Sequence, residues 1–197
     1  YSINKIKKKY EYSKKFLINE RFSTESPISI YGFTKLASEK LIEELSYSNG
    51  IDYIINRFGV ISGPWQFGVE DQGFVSLWLW RHMNKIPLSY KGYNGKGTQI
   101  RDVIHINDVC DLVYLQIKKF KKIKNDTFNL GGGIKNKIDL KTLTNKCRKL
   151  TKNTVKIFKI NKTSNYDVPY YVSDNKKVFN KNNYKIKNNI DNILKDI

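Results

Sequence analysis

The chain has 197 residues, of which 40% are hydrophobic and 13% aromatic, a content typical of a protein that folds around a core rather than of a disordered chain. No apolar run is long enough to span a bilayer, and the opening stretch YSINKIKKKYEYSKKF lacks the apolar segment of a secretion signal. We therefore expect a cytoplasmic protein that does not associate with membranes.

The formal net charge is +18, from 36 Lys and Arg against 18 Asp and Glu. A basic surface attracts phosphate, but only five of these cations are Arg, the residue whose planar fork suits base and bidentate phosphate recognition. The lysines are scattered among Asn and Ile, a joint enrichment that an AT-rich genome produces by itself. We therefore expect no specific nucleic-acid partner, and we expect the basic run 118–124 to be a solvated loop.

Cysteine and histidine are too sparse to suggest a disulfide framework or a metal site. Cys110 and Cys147 form no C-x-x-C pair, which fits a reducing compartment and indicates two ordinary core residues. His82 and His105 lie far apart without the spacing of metal ligands. We therefore predict no metal, and His105 is expected to pack beside a strand.

The predicted elements alternate between helices and strands. The stretch 26–29, which contains two serines and Pro27, is expected to cap a helix that Gly50 ends. IDYIINRFGVI, 51–61, predicts a buried strand, and 62–73 a Gly-rich loop. The elements that follow are helix 74–85, strand 86–92, turn 92–98, strand 99–106, helix 107–120, strand 126–133, helix 138–150, strand 154–160 and, from 174, two short helices. This alternation predicts an α/β fold with a mostly parallel sheet.

The stretch SPISIYGFTK, 26–35, places Tyr31 four residues before Lys35 at the start of the first predicted helix. Both side chains then project from the same face. A free tyrosine has a pKa of about 10, and a fixed positive charge nearby favours the phenolate that acid–base catalysis requires. The same spacing also arises by chance, so two ordinary helix residues remain the alternative.

Five motifs occur in one order along residues 24–180: SIYGFTKLASEK, NRFGVISGPWQFG, GTQIRDVIHINDVCDL, FNLGGG and YDVPYYVSDNKK. In this order and at these separations they resemble the extended short-chain dehydrogenase/reductase family, the NAD-dependent sugar-nucleotide epimerases and dehydratases. The loop GPWQFGVEDQGFV is most similar to the family's epimerases that act at C2 of CDP-activated dideoxyhexoses. The resemblance implies part of a Rossmann-like doubly wound parallel sheet with a smaller C-terminal substrate-binding domain.

The resemblance also implies that the beginning of that fold is missing. None of the twelve glycines forms the G-x-x-G-x-x-G or G-x-G-x-x-G loop that lays a pyrophosphate on a helix N-terminus. We therefore expect a fragment without the N-terminal half of the Rossmann domain, in which YSI continues a strand. Residues 1–62 would be the C-terminal part of the NAD-binding domain, and 63–197 mainly the substrate-binding region, with 101–130 returning to the Rossmann domain.

By the same resemblance, the cofactor is NAD and the substrate is a nucleotide sugar. Tyr31 would be the catalytic acid/base, and Lys35 would lower the pKa of Tyr31 and hold the nicotinamide ribose. Phe58, Gly59 and Val60 would lie beside the nicotinamide. The residues expected to bind the substrate are Gln66, Phe67, Gln72, Arg101 and Asp167. Arg101 would clamp the diphosphate, since its fork of donors matches phosphate oxygens.

Three of these residues have a plainer interpretation, and so has Trp65, a further candidate contact in the same loop. Arg101 could form a local ion pair with Asp102, and Asp167 could be a turn residue before a proline. Trp65 and Phe67 could be core or lid residues.

Two positions depart from the family's pattern. An arginine is usual three residues before Asp167, where this chain has Ser164. Lys162 or Lys159 could supply the charge, but without bidentate geometry. Val60 occupies a position where many relatives carry a substrate-contacting asparagine. Both departures concern which sugar is bound.

We therefore expect NAD-dependent epimerisation of a nucleotide-activated sugar through a transient keto-sugar, with a possible homodimer formed through the long helices. The alternative within the family is a dehydratase or reductase acting on a related nucleotide sugar. The alternative from another class is a non-catalytic, basic RNA- or partner-binding fragment.

Overall fold

The computed structural model describes residues 1–70 and 72–197. The helices are α1 (Ile3–Tyr12), α2 (Ile30–Asn49), α3 (Phe74–Met83), α4 (Ile106–Lys118), α5 (Phe120–Ile123), α6 (Leu140–Thr151), α7 (Lys176–Asn182) and α8 (Ile190–Asp196). The strands are β1 (Ile54–Phe58), β2 (Val60–Ser62), β3 (Leu88–Lys91), β4 (Ile100–His105), β5 (Asp126–Leu130), β6 (Lys137–Asp139), β7 (Ile157–Ile160) and β8 (Tyr170–Tyr171). The predicted α/β class is confirmed.

Helix α2 carries Tyr31 and Lys35, and its ends follow the predicted signals. The Ser29 hydroxyl accepts a hydrogen bond from the Gly32 amide at 3.0 Å, which satisfies one of the free donors of the first turn. Gly50 ends the helix with φ 68°, a left-handed conformation that suits glycine. The predicted cap is thus Ser29, while Pro27 lies before the helix.

The sheets are mainly parallel. β1 pairs with β5, β2 with β4 and β3 with β7, all in parallel register. β4 also pairs in parallel with β8 and antiparallel with β6. The strand predicted at 51–61 is divided at Gly59, because β1 and β2 have different partners. Its predicted burial was wrong, since on β1 only Ile55 is buried.

Buried side chains form three clusters. The first cluster packs α3, α6 and α8 against β3 and β4, and it contains Leu143, Cys147 and Ile193. The second packs α4 and α7 against β5 around Phe128. The third joins α1 to the segment around Tyr170. These clusters hold the carboxyl end of β1 beside β4 and β5.

Several local predictions were wrong. The opening YSI leads into α1 rather than continuing a strand. The basic run 118–124 contains α5, where Ile123 is buried, and is therefore not simply a loop. Cys147 is buried as predicted, but Cys110 is exposed. The short strands β6 and β8 were not predicted, and Asp71 of the predicted loop 62–73 lies outside the described residues.

Among the described residues, no helix combines the length and the apolar character that crossing a bilayer requires.

Candidate cofactor and substrate site

The junction of β1 and β2 lies between two cavities. One, of about 660 Å³, is lined by Tyr31, Lys35 and Gly59 among others, and we call it the tyrosine cleft. The other, of about 550 Å³, has Val60 and Arg101 in its wall, and we call it the arginine pocket. Neighbouring residues of one strand junction therefore line two separate cavities.

Tyr31 and Lys35 lie together in the tyrosine cleft, as the four-residue spacing predicts. The Lys35 ammonium lies 5.3 Å from the centroid of the Tyr31 ring. Tyr31 is 67% exposed, so its hydroxyl is accessible to a bound molecule. The backbone of Phe58 and Gly59 lines the same cleft. The arrangement places an acid–base group, a cation and strand backbone around one space.

Arg57 forms the polar floor of the tyrosine cleft. Its Nε donates to Glu39 Oε1 at 2.8 Å, and its Nη1 donates to the Tyr1 hydroxyl at 3.1 Å. Burial lowers the pKa of the Arg57 guanidinium, but the hydrogen bonds to Glu39 and Tyr1 outweigh burial and raise it above its ordinary value. Arg57 is therefore a permanent cation that joins α2 to β1.

Arg101 and Asp167, both predicted to bind substrate, lie together in the arginine pocket. Arg101 Nη2 donates to Asp167 Oδ1 at 2.6 Å and to the Val168 carbonyl at 2.8 Å. The alternative ion pair with Asp102 does not form, because Asp102 receives its hydrogen bonds from Gly133 and Ser173. The guanidinium is thus held at the pocket wall by a residue 66 positions away.

Further charged side chains line the arginine pocket. Glu70 accepts from Lys91 at 2.9 Å and from Arg81 at 3.3 Å. Lys162 and Ser164 also line it, whereas Lys159 is absent from its wall. Among these described lining residues cations outnumber carboxylates, so the pocket favours an anion.

An aromatic pair supports the apolar side of the arginine pocket. The rings of Trp78 and Tyr90 stack with centroids 6.3 Å apart and planes 3° from parallel. The Trp78 indole and the Tyr90 hydroxyl both donate to Thr144 Oγ1, at 2.9 and 2.8 Å. This shared acceptor fixes both rings. Neither residue was singled out from the sequence, because nothing in a lone Trp or Tyr distinguishes a pocket wall from a core.

The other predicted substrate residues lie on the loop between β2 and α3. Gln66 accepts from the Ser62 and Ser76 hydroxyls at 3.0 and 2.9 Å, so its side chain braces the loop. Phe67 is exposed, as is Gln72, whose backbone pairs with that of Val69. In this structure none of the three lines either cavity.

Sequence reasoning missed two carboxylates at the site. Glu39 was not singled out from the sequence, although it stands four residues after Lys35 and lines the same cleft. Asp102 was treated only as a neighbour of Arg101, yet it is fully buried behind Gly59. The four-residue step was a usable signal for Glu39. The contacts of Asp102 depend on distant loops that no local pattern reveals.

Parallel strands flanked by helices, with cavities at the carboxyl end of β1, define a doubly wound α/β protein of the dinucleotide-binding type. The family model that describes the NAD dependent epimerase/dehydratase family matches residues 10–131, more than half of the chain. The chain belongs to this family.

A relative and two solved structures show the extent of the similarity. CDP-paratose 2-epimerase from Salmonella typhi is 30% identical over 118 residues, which are 57% of this chain and 34% of that protein. The UDP-glucuronic acid 4-epimerase of Bacillus cereus, solved with UDP-glucuronic acid and NAD, superposes with a TM-score of 0.81 at 21% identity, covering 93% of this chain and 55% of that one.

The dTDP-glucose 4,6-dehydratase of Bacillus anthracis, solved with NAD, gives a TM-score of 0.75 at 19% identity, with 92% and 54% covered. The chain thus spans about half the length of these structures, and its fold is shared by epimerases and a dehydratase.

The donors of the tyrosine cleft fit the nicotinamide end of NAD. The Tyr31 hydroxyl and the Lys35 ammonium are exposed on one helix face and suit ribose hydroxyls. Phe58 and Gly59 line the same cleft, where the Gly59 amide already donates to the Leu130 carbonyl at 2.8 Å. Within residues 1–70 and 72–197, no group of three His, Cys, Asp or Glu residues could hold a metal ion.

Proposed function

We propose that this chain is the part of an NAD-dependent nucleotide-sugar epimerase that carries the catalytic acid/base and the nucleotide pocket. The observation that carries this proposal is the placement of Tyr31 with Lys35 in one cavity and Arg101 with Asp167 in the next, divided by a single strand junction. A molecule in the arginine pocket could therefore extend a reactive end towards Tyr31.

Each residue has a defined task in this proposal. NAD, when bound, supplies the hydride acceptor and donor. Tyr31 takes the proton of the sugar hydroxyl and returns it after the centre has inverted, a role in which a positioned general base contributes about 10²–10⁴-fold. Lys35, whose ammonium lies 5.3 Å from the centroid of the Tyr31 ring, holds the ribose. Arg101 binds the diphosphate, and Asp167 aligns its guanidinium.

For the substrate, we propose a CDP-activated dideoxyhexose that is inverted at C2. Support comes from the similarity to CDP-paratose 2-epimerase. On the loop between β2 and α3, Phe67 and Gln72 are exposed and would contact the sugar, while Gln66 braces the loop through Ser62 and Ser76. Lys162 in the arginine pocket would supply the charge of the arginine that relatives usually carry at the position of Ser164. A dehydratase or reductase on a related nucleotide sugar is the alternative, since a dehydratase shares the fold.

We further propose that the protein acts in the cytoplasm and that two copies associate through α2. Leu41, Ile42 and Leu45 of this helix are exposed, and a second copy would cover them.

The test uses the longest reading frame that contains this chain. The protein is incubated with NAD and CDP-dideoxyhexoses, and the sugar's C2 configuration is followed by proton NMR. Tyr31→Phe should lower turnover by about 10²–10⁴-fold, whereas Tyr47→Phe, on the exposed side of the same helix, should leave it unchanged.

Equal turnover by Tyr31→Phe and the parent would reject the proposal. A product lighter by one water identifies the dehydratase alternative. Salt-sensitive binding of unrelated RNA without nucleotide-sugar binding would instead favour the non-catalytic alternative.

A further inference from the structure

Glu39 on α2 and Arg57 on β1 form a shielded, two-pronged ion pair. Arg57 Nε donates to Glu39 Oε1 at 2.8 Å and to Oε2 at 3.1 Å, and Nη2 also donates to Oε2. The Arg57 side chain is only 18% exposed and the Glu39 side chain only 15%. Such a pair holds a fixed geometry more strictly than an exposed lysine pair, because both donors and acceptors are matched and water competes less.

Glu39 stands in the middle of the face on which α2 rests. Half-buried residues recur at 32, 36, 39, 43 and 46, and none of the twenty residues of α2 is fully buried. A helix that buries so little apolar surface gains little from packing. Across the described part of the chain, the side-chain hydrogen bonds that join an α2 side chain to a residue outside the helix all run from Arg57 to Glu39.

Arg57 is itself firmly placed. Its Nη1 donates to the Tyr1 hydroxyl at 3.1 Å, which in turn donates to Asn129 Oδ1 at 2.6 Å. Arg57 and Asn129 are partners in the parallel register of β1 and β5. Because Arg57 is held in place by the sheet, its ion pair with Glu39 connects α2 to the sheet.

We propose that Glu39 and Arg57 are positioning residues that fix the rotation of α2 and thereby set the distance of Tyr31 and Lys35 from the wall of the tyrosine cleft. Tyr31, Lys35 and Glu39 follow at four-residue steps, so a rotation that moves Glu39 moves the other two. The catalytic meaning of this placement rests on the proposed function, whereas the placement itself is a property of this chain.

Amide hydrogen exchange of residues 30–49 tests the first part. Glu39→Gln should speed exchange in α2 by about tenfold, and Arg57→Lys, which keeps the charge but not the fork, should have a smaller effect. Glu44→Gln removes the same charge from an exposed position of α2 and should match the parent. Equal exchange in Glu39→Gln and Glu44→Gln overturns the proposal, and so does an equal loss of protection in α4.

A distance measurement tests position separately from stability. Spin labels are attached at Cys110, which is exposed on α4, and at Tyr47→Cys on α2, while Cys147 is buried and stays unlabelled. The distance distribution should shift or broaden with Glu39→Gln but not with Glu44→Gln, and an unchanged distribution overturns the proposal. Neither readout involves NAD or a sugar, so a Tyr31→Phe variant with full turnover would reject the proposed function without affecting these results.

Discussion

Asp102 is the residue at which the strands and loops around both cavities meet. Its Oδ2 accepts from the amides of Gly133 and Ser173 at 2.9 and 3.0 Å. The side chain is fully buried, and Oδ1 has no hydrogen-bond partner. Burial raises the pKa of this carboxyl, although the two amide hydrogen bonds act in the opposite direction. Asp102 therefore favours its protonated form more in the folded than in the unfolded chain.

This raised pKa gives a pH dependence with a definite sign. The contribution of Asp102 to stability is complete below its unfolded pKa of 3.8 and is lost as the pH rises through the higher folded value. Asp102→Asn keeps one oxygen for the two amides and removes the titration. Urea unfolding should show this variant to be more stable at neutral pH, since each tenfold difference in proton affinity corresponds to about 1.4 kcal/mol. The gain should disappear at acidic pH, and a variant less stable than the parent at neutral pH contradicts the argument.

A side chain at Gly131 would collide with Asp102, so the close packing of these two residues requires glycine at this position. A Cβ at this position would lie 2.2 Å from Asp102 Oδ2 and 2.4 Å from Ser173 Oγ. Gly131→Ala should lower the free energy of unfolding by about 3 kcal/mol, since the buried groups cannot all move away. Gly50→Ala is the control, because nothing lies within 4 Å of its Cβ and only the φ of 68° opposes it, at a cost of about 1 kcal/mol. Similar losses in both variants would contradict the packing explanation.

At the scale of the element, α2 combines the proposed acid/base with an uncovered apolar surface. If a second copy covers Leu41, Ile42 and Leu45, then Leu41→Asp should raise the Kd of self-association by about tenfold, which corresponds to about 1.4 kcal/mol of binding free energy. Sedimentation over a range of concentrations measures this, with Glu44→Asp as a control of matched position. A parent chain that stays monomeric at all concentrations rejects the dimer.

The same helix shows how much local sequence determines. Ser29, Gly50 and the Tyr31–Lys35 spacing could be predicted, because caps and helix faces depend on neighbours within one or two turns. The attachment of α2 to the sheet could not be predicted, because Arg57 lies 18 residues from Glu39 in the sequence. The division of the strand at Gly59 was missed for a similar reason, since β1 and β2 take their partners from β5 and β4, far along the chain.

For the molecule as a whole, the order of the motifs predicted the family and the fold, both of which are confirmed. The predicted NAD dependence agrees with the family. Contacts across the site were harder to predict, because Arg101 meets Asp167 at a separation of 66 residues and Asp102 meets Ser173 at 71. Motifs identify the residue types at a site, but tertiary packing decides which of them touch. The roles of the individual site residues stay predictions.

The net charge of +18 acts over the entire surface of the protein. Unfolding spreads these charges apart, so self-repulsion destabilises the compact state and salt should relieve it. We expect Tm to rise by several degrees between low and physiological ionic strength. Replacing the exposed Lys8, Lys121 and Lys149 by Gln should raise Tm at low salt and reduce its salt dependence. A Tm that falls with NaCl would mean that exposed ion pairs such as Lys187–Asp111 contribute more than the net repulsion, because salt weakens attraction and repulsion alike.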